Sequence, residues 1–284
     1  MGILRFNYRS EELGRYVDVT IVIPTDPYTY HDELGEKFGG RFKGKYTPGM
    51  KYQTIYLIHG GGDDDTLTYR YTNAERYAEE NNVMLVTPNI TNSFGVDTKY
   101  GVKYQTFIAK ELPKVVQSLF PSSPKREDNF IMGYAMGGNV ALGTALLHPE
   151  NYAACVDLSG GIGMTLDTKL FKEELDGDYF KNNFNIYNTT FGEGKDLEGS
   201  DYDLYSAATK SLKEGVAVPN LFIACGSKEF IRERVEGDVK ILKKIGYPVT
   251  YECAEGYDHD FEMWDKYIRV AIEEWLPLKN WKTD

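Results

Sequence analysis

Gly133-Tyr134-Ala135-Met136-Gly137 has the spacing of a nucleophile elbow, G-x-S-x-G, with alanine where the serine stands. In such an elbow a strand turns sharply into a helix, the central residue takes a positive φ, and the flanking glycines let the two elements approach. A hydroxyl at that point attacks an acyl carbon, and Ala135 has none. Alone, the pentapeptide reads equally well as a glycine and alanine helix contact, so its context decides. His59-Gly60-Gly61-Gly62 ends the apolar run TIYLIH, and a glycine turn after a buried strand can offer backbone N–H groups to a developing oxyanion. Gly61 and Met136 are the expected donors, with Gly60 and Gly62 beside the substrate. The bland alternative is a loop that glycines merely make flexible.

Acyl transfer also needs a general base and a carboxylate that orients it. His31 lies in a polar early loop, His59 belongs to the glycine turn and His148 precedes Pro149, which leaves His259 in GYDHDFEMW, ahead of the last helix. Glu229 follows the apolar run NLFIACG and is the expected carboxylate. Asp238 competes but falls in the next helix, while Asp258 and Asp260 flank the histidine and point away if it faces the site. The order 135, 229, 259 is that of nucleophile, acid and histidine in this kind of site. The run Asp63-Asp64-Asp65 invites a cation, but it lacks the alternation of a calcium loop, so neither metal nor cofactor is expected. Ser159 in DLSGG lacks elbow glycines on both sides and reads as a turn residue.

These residues need strands to present them. YVDVTIVIP from Tyr16 alternates as a half-buried strand, whereas TIYLIH, VMLVTP, NFIMGY and NLFIACG are apolar on both faces, as parallel strands under helices are. PVTYEC is a further short strand. Helical periodicity fills the intervals: 73–80, a stretch with Phe107, Ile108, Leu112, Val115 and Val116 on one side, and 262–276 with Trp264, Ile268, Ala271, Ile272 and Trp275 on one face. Pro113 is expected to kink the second of these helices. Alternating strands and helices predict an α/β fold, a single domain over 1–284 with a doubly wound, mostly parallel sheet. A polar stretch, 162–216, breaks the rhythm and reads as an insertion. Its rings, Phe180 and Phe184 among them, suit either a lid over the site that contacts substrate or a surface helix pair packed by its own aromatics.

With 42% hydrophobic residues in 284 the chain can bury a large core, and a net charge of -11 disfavours nucleic acid and anionic membrane as partners. The start of the chain turns charged within five residues and no apolar run spans a bilayer, which predicts a cytoplasmic protein. Cys155, Cys225 and Cys253 sit in apolar stretches and read as buried free thiols.

Taken together, LIHGGG, TPN at Thr87, ELPK at Glu111, GYAMGG, FGEGKDLEGSDYDL, IACGSKEF and GYDHDFEMW resemble the esterase D, tributyrin esterase and feruloyl esterase group of the α/β-hydrolase superfamily. The resemblance runs from the first strand to the last helix. It implies an α/β-hydrolase that cleaves small esters without a cofactor, with short-acyl or feruloyl and acetyl esters of plant carbohydrate, including acylated oligosaccharides, as substrates. Self-association into a homo-oligomer is implied as well. Carried over, the nucleophile falls on Ala135, the acid, usually aspartate, on Glu229, and the histidine on His259, with Trp264 near the tryptophan that follows and expected to contact substrate. Alanine removes the attacking oxygen, which leaves two readings: a serine esterase inactivated by substitution, or a natural non-catalytic relative that binds an ester or carbohydrate.

Overall fold

The computed structural model of the protein describes residues 2–25, 48–99, 101–163, 190–191 and 199–279. Its strands are β1 (Gly2–Arg9), β2 (Tyr16–Ile23), β3 (Thr54–Ile58), β4 (Met84–Pro88), β5 (Asn129–Tyr134), β6 (Ala154–Leu158), β7 (Asn220–Gly226) and β8 (Val249–Ala254). They form one sheet in the order β1-β2-β4-β3-β5-β6-β7-β8. The pairs made by β2 are antiparallel and the remaining pairs are parallel. The α/β-hydrolase fold read from the sequence is therefore present, with an antiparallel edge.

Because side chains alternate along a strand, the apolar runs feed two cores at once. Tyr56, Ile58 and Ile131 face one layer, where they meet α3 (Leu112–Leu119), α4 (Met136–Leu147), α5 (Leu204–Lys213) and α6 (Arg232–Ile245). Ile55, Leu57, Phe130 and Met132 face the other, where α2 (Ala74–Glu80) and α7 (Phe261–Val270) cover them. A short helix, α1 (Leu67–Tyr71), precedes α2. Helix α4 is buried on nearly every side, which its small residues permit.

Three expectations are revised. Strand β1 has no counterpart in the sequence reading, because it is an edge strand with mixed, half-exposed positions and no clean alternation. At Pro113 the helix does not simply kink. A π-helical turn, Phe107–Glu111, leads into α3. Pro113 has no N–H for the Ala109 carbonyl four residues back, and Asn151 Nδ2 donates to that oxygen instead at 2.8 Å. Cys155 and Cys225 are buried, but Cys253 is exposed, since β8 closes the sheet and is covered only in part. Within the polar range 162–216, α5 is the crossover between β6 and β7 and packs on α4 and α6. Most of the rest of that range lies outside the described residues, Phe180 and Phe184 included, as does His31. Among the described residues no helix is long and apolar enough to cross a membrane.

Candidate active site

The carboxyl ends of β5, β6 and β7 step past the sheet by a staircase of backbone bonds. Ala135 N–H donates to Leu158 O at 2.8 Å, Ser159 N–H to Ala224 O at 2.9 Å and Ser227 N–H to Ala254 O at 2.9 Å. Ala135 caps α4 with φ 51° and ψ -124°, the strained conformation of an elbow. Such a residue costs roughly 1–3 kcal/mol and persists only where its surroundings over-determine it. Here the surroundings are glycines. A Cβ on Gly133 would lie 2.1 Å from Gly137 O, and one on Gly137 would lie 2.1 Å from Ile58 O, so any other residue pushes strand and helix apart.

The glycine turn after β3 is held from below by His59. Its Nδ1–H donates to Gly60 O at 2.8 Å while Nε2 accepts from Ile90 N–H at 3.0 Å. Burial lowers the His59 pKa, which keeps the ring neutral and able to accept. Gly60 is buried against the Tyr134 ring, whereas Gly61 and Gly62 are exposed. Gly62 has φ 84°, and its N–H is fixed by Asn92 Oδ1 at 2.6 Å. A Cβ on Gly61 would stand 3.9 Å from that of Met136, so the two expected oxyanion donors are neighbours. Met136 opens α4, where the first-turn N–H groups have no partner within the helix.

His259 and Glu229 meet as the sequence order required. His259 Nδ1 lies 2.8 Å from Glu229 Oε2. A carboxylate only accepts, so Nδ1 carries the proton and the Nε2 lone pair is left for a reacting group. Glu229 is itself buried, and its other oxygen accepts from Gly226 N–H and Ser159 O–H, each at 2.7 Å. Asp258 accepts the His259 N–H and Asp260 caps α7, so neither competes for the imidazole. Asp238 is equally engaged, clamping Ile162 N–H, Gly163 N–H and the Tyr205 hydroxyl.

Ser159, read from the sequence as a turn residue, belongs to this network. It is fully buried with φ 63°, donates to Glu229 and accepts from the Trp264 indole N–H at 3.2 Å. The serine and its acid are 70 residues apart in the chain, and no local pattern announces such a pair. Trp264, expected to touch substrate, is buried beneath His259. Its ring meets the imidazole edge-on at 5.0 Å and stacks on Tyr134 at 4.8 Å, which ties the histidine to the elbow. Phe230 and Tyr71 are exposed rings. Phe230 is 78% exposed and 5.1 Å from His259, and Tyr71, 60% exposed, stacks on Phe261.

The three aspartates after the glycine turn diverge. Asp63 accepts the Tyr134 hydroxyl, Asp64 caps Thr66, and Asp65 accepts from Thr20. Among the described residues no group of three His, Cys, Asp or Glu side chains is placed to hold a metal ion.

A family model described as "Putative esterase" matches residues 32–269. An acetyl esterase of Caldicellulosiruptor saccharolyticus is 29% identical over 290 residues, spanning 97% of this chain and 98% of its own. Among solved structures, the fluorophosphonate-binding serine hydrolase FphF of Staphylococcus aureus has a TM-score of 0.79 at 28% identity, covering 95% of this chain and 96% of its own. An S-formylglutathione hydrolase of the same organism, FrmB, has a TM-score of 0.77 at 28% identity, with 95% and 97% covered.

Proposed function

The chain belongs to this Esterase family and has the α/β-hydrolase fold of carboxylic ester hydrolases. From that premise we propose that it is a serine-esterase scaffold for small acyl esters in which only the nucleophilic oxygen is missing. The observation that carries this reading is the pairing of a strained, empty elbow at Ala135 with an intact His259 and Glu229 couple. With a hydroxyl on the Cβ at position 135, the His259 lone pair takes its proton as the oxygen attacks the ester carbon. Glu229 stabilises the imidazolium, and the Gly61 and Met136 N–H groups hold the oxyanion. The imidazolium then protonates the departing alcohol, and water repeats the sequence to release the acid. As it stands, the chain binds an ester and leaves it intact.

The acyl group is acetyl-sized, a reading supported by the full-length likeness to an acetyl esterase. The alcohol side takes a carbohydrate or an aromatic ring, since the exposed face of Phe230 beside His259 suits either. The competing reading makes Ala135 a native residue in a protein that only recognises esters, and Ala135→Ser separates the two. Assayed with p-nitrophenyl acetate, p-nitrophenyl butyrate and methyl ferulate, the variant gains at least about 10³-fold in kcat/KM for the acetate. No gain with any ester overturns the proposal in favour of recognition alone.

A further inference from the structure

The two expected oxyanion donors come from different segments, Gly61 from the glycine turn after β3 and Met136 from the elbow after β5. Both must aim at one oxygen, so the spacing between turn and elbow has to be held closely. The β3 to β5 ladder ends at the pair Ile58 and Gly133. Beyond that register other contacts must set the distance.

A side-chain hydrogen bond spans the gap: Tyr134 Oη donates to Asp63 Oδ2 at 3.0 Å. Tyr134 immediately precedes Ala135 in the elbow, and Asp63 immediately follows the glycine turn. Gly60 is seated directly on this pair, since a Cβ there would stand 3.0 Å from the Tyr134 ring and 3.1 Å from Asp63 Oδ2. Asp63 N–H also turns back toward Gly60 O at 3.4 Å. Burial raises the Asp63 pKa, and the Tyr134 hydroxyl is the largest influence opposing that rise. The hydroxyl is not needed for packing: the Tyr134 ring already stacks on Trp264 at 4.8 Å and meets Phe261 edge to face at 5.4 Å. A buried hydroxyl requires a partner, and this one finds it on the turn. Thr68 Oγ1, at 3.3 Å, is its second neighbour.

We propose that Tyr134 and Asp63 are positioning residues of the ester site, whose hydrogen bond sets the glycine turn against the elbow and so holds the Gly61 N–H at the distance from the Met136 N–H that one oxyanion requires. The proposal rests on the ester-hydrolase reading above. Neither side chain takes a step in the chemistry. Their effect passes through the backbone of the turn.

Kinetics in the Ala135→Ser background with p-nitrophenyl acetate test it. Tyr134→Phe and Asp63→Ala each lower kcat by about 10-fold with KM unchanged. Asp63→Asn keeps an acceptor oxygen and stays within about 3-fold of its parent. Tyr134→Phe combined with Asp63→Ala is no slower than either alone, because a shared bond is lost only once. An unchanged kcat, a loss carried by KM, losses that multiply in the double variant, or an Asp63→Asn chain as slow as Asp63→Ala overturns the proposal.

Hydrogen exchange on the chain as it stands needs no activity and separates this proposal from the ester-hydrolase reading. The Gly62 and Asp63 amides are bonded to Asn92 Oδ1 and Gly60 O. Tyr134→Phe speeds their exchange, followed by NMR, by about 10-fold while the amides of α7 exchange as in the parent. Faster exchange at the turn beside an inactive Ala135→Ser chain supports the hold on the turn and removes only the ester reading. Unchanged exchange at the turn, or faster exchange at the turn and α7 alike, overturns the proposal.

Discussion

Ala135 and Ser159 stand at the ends of adjacent strands, β5 and β6, and both hold a positive φ, 51° and 63°, that side chains other than glycine rarely adopt. At Ser159 the strain has a visible return: the hydroxyl is fully buried, bonded to Glu229 and bonded by Trp264. At Ala135 the same conformation, held by close-packed glycines, presents a methyl group. On the proposed reading, the backbone of this site is built for two side-chain oxygens. One is present and positions the acid, and the elbow that would display the other is intact without it.

The largest effect is expected at the histidine. In the Ala135→Ser background, His259→Ala removes at least about 10³-fold of the gained kcat. Steady-state kinetics that show an undiminished kcat would detach the elbow from the Glu229 and His259 couple. A smaller effect sharpens the role of the second strained position. Ser159→Ala in the same background deletes one of the hydrogen bonds to Glu229 and lowers kcat by about 10-fold with KM unchanged, as loss of one such bond predicts. A KM effect alone would make Ser159 a substrate contact.

The two turns also share a floor. Gly138 after the elbow and Gly160 after Ser159 both pack on Asp157, where added Cβ atoms would meet its Oδ1 at 2.3 and 2.2 Å. Burial first, and then the charges of Asp238 and Glu229, push the Asp157 carboxyl up to about 8 against the opposing Gly160 N–H. The folded chain thus keeps a proton that the unfolded chain releases near 3.8, and stability falls as pH rises between 3.8 and about 8. Asp238, raised to about 6 by burial, adds to the lower part of that window. Asp157→Asn removes the larger contribution and raises Tm at pH 8 by at least about 4 °C, with little change at pH 4, in a thermal melt series. Equal Tm differences at both pH values would mean that Asp157 is not protonated in the fold.

Much of this was legible in the chain itself. Parallel strands buried on both faces leave unbroken apolar runs, as in TIYLIH and NFIMGY, and an elbow leaves its glycines because Gly133 and Gly137 have no room for a Cβ. His259 followed from element order. What escaped lacks a local signature. Strand β1 is half exposed along its length, and Cys253 lies on the open edge strand. Ser159 acts through a residue 70 positions away, and Asn92 reaches the glycine turn across 30. Trp264 was placed beside the site by its position after His259, but only packing reveals that its indole faces Ser159.

If one oxygen separates this site from a working serine esterase, covalent labelling detects it without reference to substrate choice. A fluorophosphonate probe, followed by intact-mass spectrometry, reads whether a nucleophile at position 135 is activated by His259. Ala135→Ser is labelled stoichiometrically, whereas the chain as it stands and Ala135→Ser combined with His259→Ala are not labelled. An unlabelled Ala135→Ser chain that melts cooperatively would contradict it.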